Sequence, residues 1–407
     1  MLISLASSLS SAQSKVWATV LDNQLNTHYF YLSQTSSDNG ITGYNDQGLP
    51  VGYSSSDILS IWIEYNENLP EELDSADWNA AACIELTDGQ IIAMVIEDSS
   101  DPELITGIRL DSNLAVSIPL DRVRTMTKVS NNNSATPGFK LFDDSIQDDA
   151  VRLENNDLIT GFITSIGNTI EIETNSPNGN GGTRSFPIEQ VHSVLVQNPP
   201  VFAPGTYVLT SLRERLRVSG YRSDTGNELT LALDDPMHLH QSSQPSIAEL
   251  VAVDHLRNGQ HLVDLASSQP AQITPTGGRQ WAPAPVLRTR LWIGSLRTRT
   301  RITSPVSMSW DLPQGSLRFT MDIGSYSRPW TDNQVSIIAT DSSDADQTLW
   351  TKRFDATESP REVIVMALPQ GSTRLTLHID PAENGPIQDQ HFVGLPLLLV
   401  DSLPELQ

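Results

Sequence analysis

Hydrophobic and polar residues alternate along this chain in short runs, and the runs repeat. An apolar strand leads into a polar turn, several short strands follow, and a mixed polar–apolar strand closes the phrase. The closing stretches are residues 56–61, 121–126, 189–194 and 248–253. Their anchors Ile58, Val123, Val191 and Leu250 stand roughly 60 to 70 residues apart, a period that means an array of small units.

Each unit opens on a hairpin signal. Asp22-Asn23 makes the first turn of unit 1, and Tyr29 and Tyr31 share a face of the next strand. In unit 2 the signal is Leu86-Thr87-Asp88-Gly89-Gln90-Ile91, where Gly supplies the positive φ of a tight turn. In unit 3, Asn155-Asn156 plays that part, and Ile170-Glu171-Ile172-Glu173 alternates as a strand with one wet face. Unit 4 starts near Tyr207 and alternates Leu229, Leu231 and Leu233.

About five strands in roughly 50 to 60 residues predict small, strongly bent barrels of the SH3 or Sm-like kind. The expected units are 15–63, 81–129, 145–197 and 204–258. One such unit buries little surface, so packing against its neighbours would stabilise it. The polar stretches 64–79, 130–137 and 197–204 separate the units, and the Gly-rich 175–182 reads as a hairpin loop inside unit 3.

From Leu262 the strands lengthen. The expected core faces are Val306, Met308, Trp310, Leu312; Leu317, Phe319, Met321, Ile323; Val335, Ile337, Ala339; Val363, Val365, Ala367; and Leu375, Leu377, Ile379. A period of two over so many strands predicts two packed sheets, a β-sandwich of jelly-roll type over 262–402. The fold class is therefore all-β: four tandem small barrels followed by a jelly-roll sandwich.

Two resemblances accompany this pattern. Leu153–Gly161 and Ile118–Val123 resemble the repeat phrases of tandem small β-barrels in exported bacterial proteins. The region from Leu262 to Val400 resembles the novel putative carbohydrate-binding module (NPCBM) found beside bacterial glycosidases. Its carriers are Leu262-Val263-Asp264-Leu265, Val306–Leu312, residues 317–324, Thr348-Leu349-Trp350, residues 374–380 and 385–389. That resemblance implies a galactose-binding-like jelly roll and glycan binding. One departure stands out. The family has a Gly-rich phrase with a His before Val306, and this chain has Ser295-Leu296-Arg297-Thr298-Arg299-Thr300-Arg301. Those arginines would line one side of a strand, as an edge protected by charge or a contact for an anionic ligand or an acidic neighbouring unit.

Charge narrows the partners. With 25 Lys and Arg against 49 Asp and Glu, the 407 residues carry a formal charge of −24. This argues against nucleic acid and anionic membranes. Cys83 is the sole cysteine, so there is no intrachain disulfide and no Cys-based zinc site; its apolar setting predicts a buried thiol. No stretch has the length and apolarity of a membrane-spanning helix. Residues 1–14 are mildly apolar and rich in Ser and Ala, like the end of a secretory signal or a frayed tail.

Sugar recognition needs an exposed aromatic face beside planar polar groups. The stretch 325–333 offers Trp330 as platform, with Arg328, Asp332 and Asn333 as hydrogen-bonding partners. Trp281 reads as docking a Pro-rich connector. His238 and His240 lack a third zinc ligand, and Asp341, Asp344 and Asp346 form an oxygen-rich loop that is either a weak calcium candidate or a solvated turn. No phosphate-cradling Gly loop, nucleophile elbow or zinc-protease helix is present.

The sequence thus predicts a non-catalytic, exported protein, secreted or periplasmic and acting at the cell surface, with no required cofactor. Its sandwich would bind a carbohydrate or a cell-surface protein. The alternatives are a structural or assembly protein of the envelope and, less favoured, a glycan-active enzyme.

Overall fold

The computed structural model describes residues 17–36, 40–64, 81–110, 115–128, 142, 146–174, 182–201, 203–210, 214–224, 230–233, 250–256, 260–265, 270–276, 286–288, 299–303, 305–325, 331–355, 361–381 and 390–401. Among these residues there are thirty β-strands, a few turns of 3-10 helix and no α-helix.

Unit 1 holds β1 (Trp17–Asp22), β2 (Thr27–Ser36), β3 (Gly40–Tyr44), β4 (Pro50–Tyr53) and β5 (Ile58–Glu64). Unit 2 holds β6 (Ala81–Leu86), β7 (Ile91–Glu97), β8 (Leu104–Arg109), β9 (Ala115–Pro119) and β10 (Val123–Lys128). Unit 3 holds β11 (Asp149–Leu153), β12 (Leu158–Ile166), β13 (Thr169–Thr174), β14 (Gly182–Pro187) and β15 (Val191–Leu195). Unit 4 holds β16 (Gly205–Thr210), β17 (Arg215–Asp224), β18 (Thr230–Leu233) and β19 (Leu250–Leu256). In units 1 to 3 the first four strands pair in order as an antiparallel meander, and the fifth returns to pair with the first. In unit 4, β16 pairs both β17 and β19, and β17 pairs β18.

The repeated phrase has a local cause. In units 1 to 3 the first hairpin turns through one residue of positive φ: Leu25 at 66°, Gly89 at 80° and Asn156 at 69°. A side-chain oxygen near the start of the turn fixes it: Asp22 accepts from the Gln24 and Asn26 amides, Asp88 from Gln90, and Asn155 from Asp157. One turn amide then reaches the end of the 3-10 turn before the fifth strand. These bonds are Asn23 N–H to Asp57 O (2.9 Å), Thr87 to Arg122 (2.8 Å) and Glu154 to Gln190 (2.9 Å). The four anchors fall where the closing strand meets the opening one. Asp22 faces Ile58, Leu86 faces Val123, Leu153 faces Val191 and Thr210 faces Leu250, each beside a register shift. Such bulges bend a strand and increase its twist.

The units are nested. β10 pairs β15, joining units 2 and 3 through their closing strands, and β5 pairs β19, joining units 1 and 4 in the same way. Units 2 and 4 also meet through a buried ion pair: Arg109 grips Glu214 with Nε–Oε1 3.2 Å and Nη2–Oε2 2.9 Å. Tyr207 donates to the Asp88 carbonyl at 3.0 Å, and the Arg215 guanidinium lies over the Tyr207 ring. At the joint of units 1 and 4, Ser60 donates to buried Asp254; burial pushes that carboxyl up, offset in part by Arg215 and Ser60. Cys83 is buried beside Ala81 and Ala93.

The C-terminal region is two sheets. Its strands are β20 (Gln260–Asp264), β21 (Gln272–Pro275), β22 (Val286–Arg288), β23 (Arg299–Thr303), β24 (Val306–Asp311), β25 (Ser316–Ser325), β26 (Asp332–Asp341), β27 (Asp346–Asp355), β28 (Arg361–Ala367), β29 (Ser372–Pro381) and β30 (Gln390–Asp401). One sheet runs β22-β23-β30-β25-β28, with β20 also on β30; the other runs β21-β24-β29-β26-β27. Val306, Met308, Phe319, Met321, Ile323, Val335, Ile337, Leu375, Leu377 and Ile379 share the core, as the alternation predicts.

Three expectations are corrected. On β28 the core takes Ile364 and, at its margin, Met366, while Val363 is 45% exposed. Both faces of β28 are apolar, so alternation could not choose between them. Leu317 is exposed because β25 shifts register between Ser316 and Arg318. The strand carrying Arg299 and Arg301 is not an edge, since β23 pairs β22 and β30.

The second apolar face has a use. Leu397, Leu399, Leu262 and Val365 pack against Leu21, Leu25, Leu59, Trp62, Leu209 and Ala252 of units 1 and 4. The sandwich is docked on the array, and Arg318 adds a bond to the Gln24 carbonyl.

Candidate functional site

One end of the sandwich gathers polar side chains in its interior. Ser325 closes β25, and Thr331, Asp332 and Asn333 open the β26 side; all four are buried. Asn333 has the same parity as Val335 and Ile337, so alternation sends its amide inward with them. Its register partner on β27 is Phe354, and the Phe354 ring stands edge-on to the His391 ring at 5.4 Å between centroids. His391 in turn faces Ser325 across β25 and β30. Four strands thus bring Ser325, Asn333, Phe354 and His391 to one place between the sheets.

The electrostatics there are those of a neutral, buried site. Burial pushes the His391 imidazole down to about 4, opposed by the Gly324 backbone. The ring is therefore neutral near pH 7, one nitrogen donating and the other accepting. Neither ring nitrogen makes a hydrogen bond of ordinary geometry, nor do either amide atom of Asn333 and the hydroxyl of Ser325. A buried polar group left unpaired costs about 1–3 kcal/mol, so such a cluster calls for an explanation. Asp332 differs: Arg353 grips it with two bonds, 2.7 and 3.0 Å, and its charge is matched. At the margin Lys352 pairs with Glu362 and lies 5.9 Å from the Phe354 ring centre.

Of the four residues expected to bind sugar, Asp332 and Asn333 are adjacent at this end, and both are buried. Arg328 and Trp330 lie outside the described residues, as do His238, His240, Trp281 and Arg297. The Asp341 loop is a turn: Asp341 Oδ1 accepts from the Ser343 and Ala345 amides and the Ser343 hydroxyl, which holds its carboxyl below the usual range. Among the described residues no group of three or more His, Cys, Asp or Glu is placed to hold a metal ion. His391, Phe354 and Ser325 did not stand out in the sequence as site residues. The one available signal was a histidine at the start of a long apolar strand.

No family model and no curated protein matches the chain. Similar solved structures include CBM51 from Clostridium perfringens GH95 in complex with methyl-galactose, at 9% identity over 34% of this chain and 99% of that one, TM-score 0.25. A second is CBM51-2 in complex with GlcNAc, with INT domains, from Clostridium perfringens ZmpB, at 10% identity over 46% of this chain and 40% of that one, TM-score 0.26. A third is the C-terminal family 22 carbohydrate binding module of Clostridium thermocellum Xyn10B, at 14% identity over 35% and 96%, TM-score 0.23. This chain spans less than half the length of the second. Likeness of this degree leaves the site to be argued from its own residues.

Proposed function

We propose that this protein is a non-catalytic, exported glycan-binding protein. In this reading the C-terminal region is a jelly roll of the NPCBM kind, and units 1 to 4 are small SH3- or Sm-like barrels that present it. One observation carries the reading: Asn333, His391 and Ser325 converge with unpaired polar atoms beside an aromatic ring. A sugar hydroxyl both donates and accepts, so it complements a primary amide, a neutral imidazole and a hydroxyl together. Trp330 would add the stacking face, with Arg328 and the Arg353-held Asp332 beside it. The meander with a returning fifth strand and a preceding 3-10 turn supports the small-barrel assignment.

The test is a glycan array probed with the full chain, with and without calcium. Binding to a defined glycan is expected, reduced at least tenfold by Asn333→Ala and by Trp330→Ala. Asn333→Ala should hold stability to within about 1 kcal/mol, because the lost amide has no partner to leave behind. A blank array from folded protein would sink this reading.

A second reading, a structural or assembly protein of the cell envelope, draws on the nested joints of units 1 with 4 and 2 with 3. Concentration-dependent assembly without glycan affinity would favour it.

A further inference from the structure

Unit 1 carries a surface that the sandwich site does not use. On β2, Phe30 and Leu32 point into the core while Tyr29, Tyr31 and Ser33 point away. On β3, Ile41 is buried, and Thr42 and Tyr44 are exposed. Tyr31 faces Tyr44 in register, and Tyr44 faces Pro50 of β4. The result is a row, Tyr31–Tyr44–Pro50, running across three strands about 4.8 Å apart. Tyr29 continues it along β2. Tyr29 is 43% exposed and Tyr44 50%. Ser33 and Thr42 border the row, their hydroxyls 3.2 Å apart. Among the described residues of this face none carries a charge at neutral pH; Asp46 stands beyond it, in the turn after β3.

The same register position recurs across the array. Aligning the opening hairpins by their positive-φ turn residues, Leu25 and Asn156, puts Phe162 of unit 3 where unit 1 has Tyr31, and Phe162 is 65% exposed. Unit 2 has Val95 there, beside Ala93, which Glu214 of unit 4 covers. Units 1 and 3 thus carry an aromatic ring at this position, and unit 2 carries the partly buried Val95.

We propose that the outer face of β2–β4, built on Tyr29, Tyr31, Tyr44 and Pro50, is a stacking platform for an uncharged polysaccharide chain. It is separate from the sandwich site. Three features choose this occupant. Exposed tyrosine rings offer an apolar face beside a polar hydroxyl, which complements sugar rings. Among the described side chains of β2–β4 this face carries no cation to attract an anionic glycan, and a molecule of charge −24 repels one. The platform is also too small for a protein. A tyrosine side chain covers about 150–250 Å² when buried, so this row exposes on the order of 300 Å². A stable protein interface takes about 800 Å² from each partner.

The experiment is native affinity electrophoresis of the full chain through gels containing xylan, galactan or glucomannan, with anionic alginate as the charged probe. Retardation is expected in at least one neutral gel and not in alginate. The Tyr29→Ala/Tyr44→Ala double variant should weaken it about tenfold with unchanged thermal unfolding, and the milder Tyr44→Ser should weaken it several-fold should the double variant misfold. Asn333→Ala should leave the tyrosine-dependent share intact. The proposal is overturned by absence of retardation in every neutral gel, or by full retardation in both tyrosine variants. Retardation abolished by Asn333→Ala and untouched by the tyrosine changes would place all binding in the sandwich, and also overturn it. So would a dimer, seen by light scattering, that Tyr44→Ser dissociates.

Discussion

His391 shows how one buried residue ties stability to pH. In the unfolded chain its imidazole takes a proton near 6.5; in the folded protein it does so at about 4. The unfolded state therefore binds more protons between these values. The stability contributed by the neutral, buried ring is complete above pH 6.5 and is lost as the pH falls toward 4. A difference of 2.5 units (6.5 less 4) corresponds to about 3 kcal/mol. Urea unfolding of wild type and His391→Gln at several values from pH 7.5 to 4.5 checks this. Wild type should lose more stability than the variant over that window; parallel losses would mean that His391 is protonated in the folded protein. The neighbouring Asn333 was half legible in the sequence. It belongs to the 325–333 stretch that the sequence marked as a candidate for sugar contact, and its parity with Val335 and Ile337 already pointed it inward. His391 was not legible, because β30 is apolar on both faces from Phe392 to Val400 and gives no period to follow.

At the scale of elements, local chemistry was readable and pairing across units was not. The Asp88-Gly89 and Asn155-Asn156 turns and the four anchors are written in neighbouring residues, and the hairpins form where those signals stand. Nothing in β8 or before β17 announces that Arg109 and Glu214 meet, since 105 residues separate them. Their burial makes the joint of units 2 and 4 sensitive to single changes. Glu214→Gln removes one charge and leaves the guanidinium buried against an amide, which should cost about 3–5 kcal/mol. Replacing both residues by methionine removes both charges and keeps the volume, so the double variant should recover most of that loss. Chemical denaturation of Glu214→Gln, Arg109→Met and the Arg109→Met/Glu214→Met pair checks it. A double variant less stable than either single would show that the pair itself holds the joint.

For the whole molecule, the second apolar face of the sandwich decides how many cooperative units there are. A free sandwich would turn a polar outer face to water, and the sequence of β28 and β30 instead supplies Val365, Leu397 and Leu399 on that side. That excess of apolar residues was visible in the sequence. What covers it was not, because its partners come from units 1 and 4, whose closing strands must first pair through Ala252 and Trp62. Trp62 sits at both contacts, on β5 opposite β19 and under the sandwich. Truncating it removes a large buried ring, at a cost of about 3–5 kcal/mol. Leu399→Ala strikes the sandwich side alone and should cost about 2–5 kcal/mol. Because Leu399 belongs to the docking cluster and not to the sandwich core, its loss should uncouple the two parts rather than unfold either. Calorimetry of wild type is expected to show the sandwich and units 1 and 4 melting together, and Leu399→Ala to split that transition in two. The same variant should expose a sticky apolar face and bind a hydrophobic dye below its second transition. A single, uniformly lowered transition would instead mean that the β30 strand itself fails, and that docking does not couple the sandwich to the array.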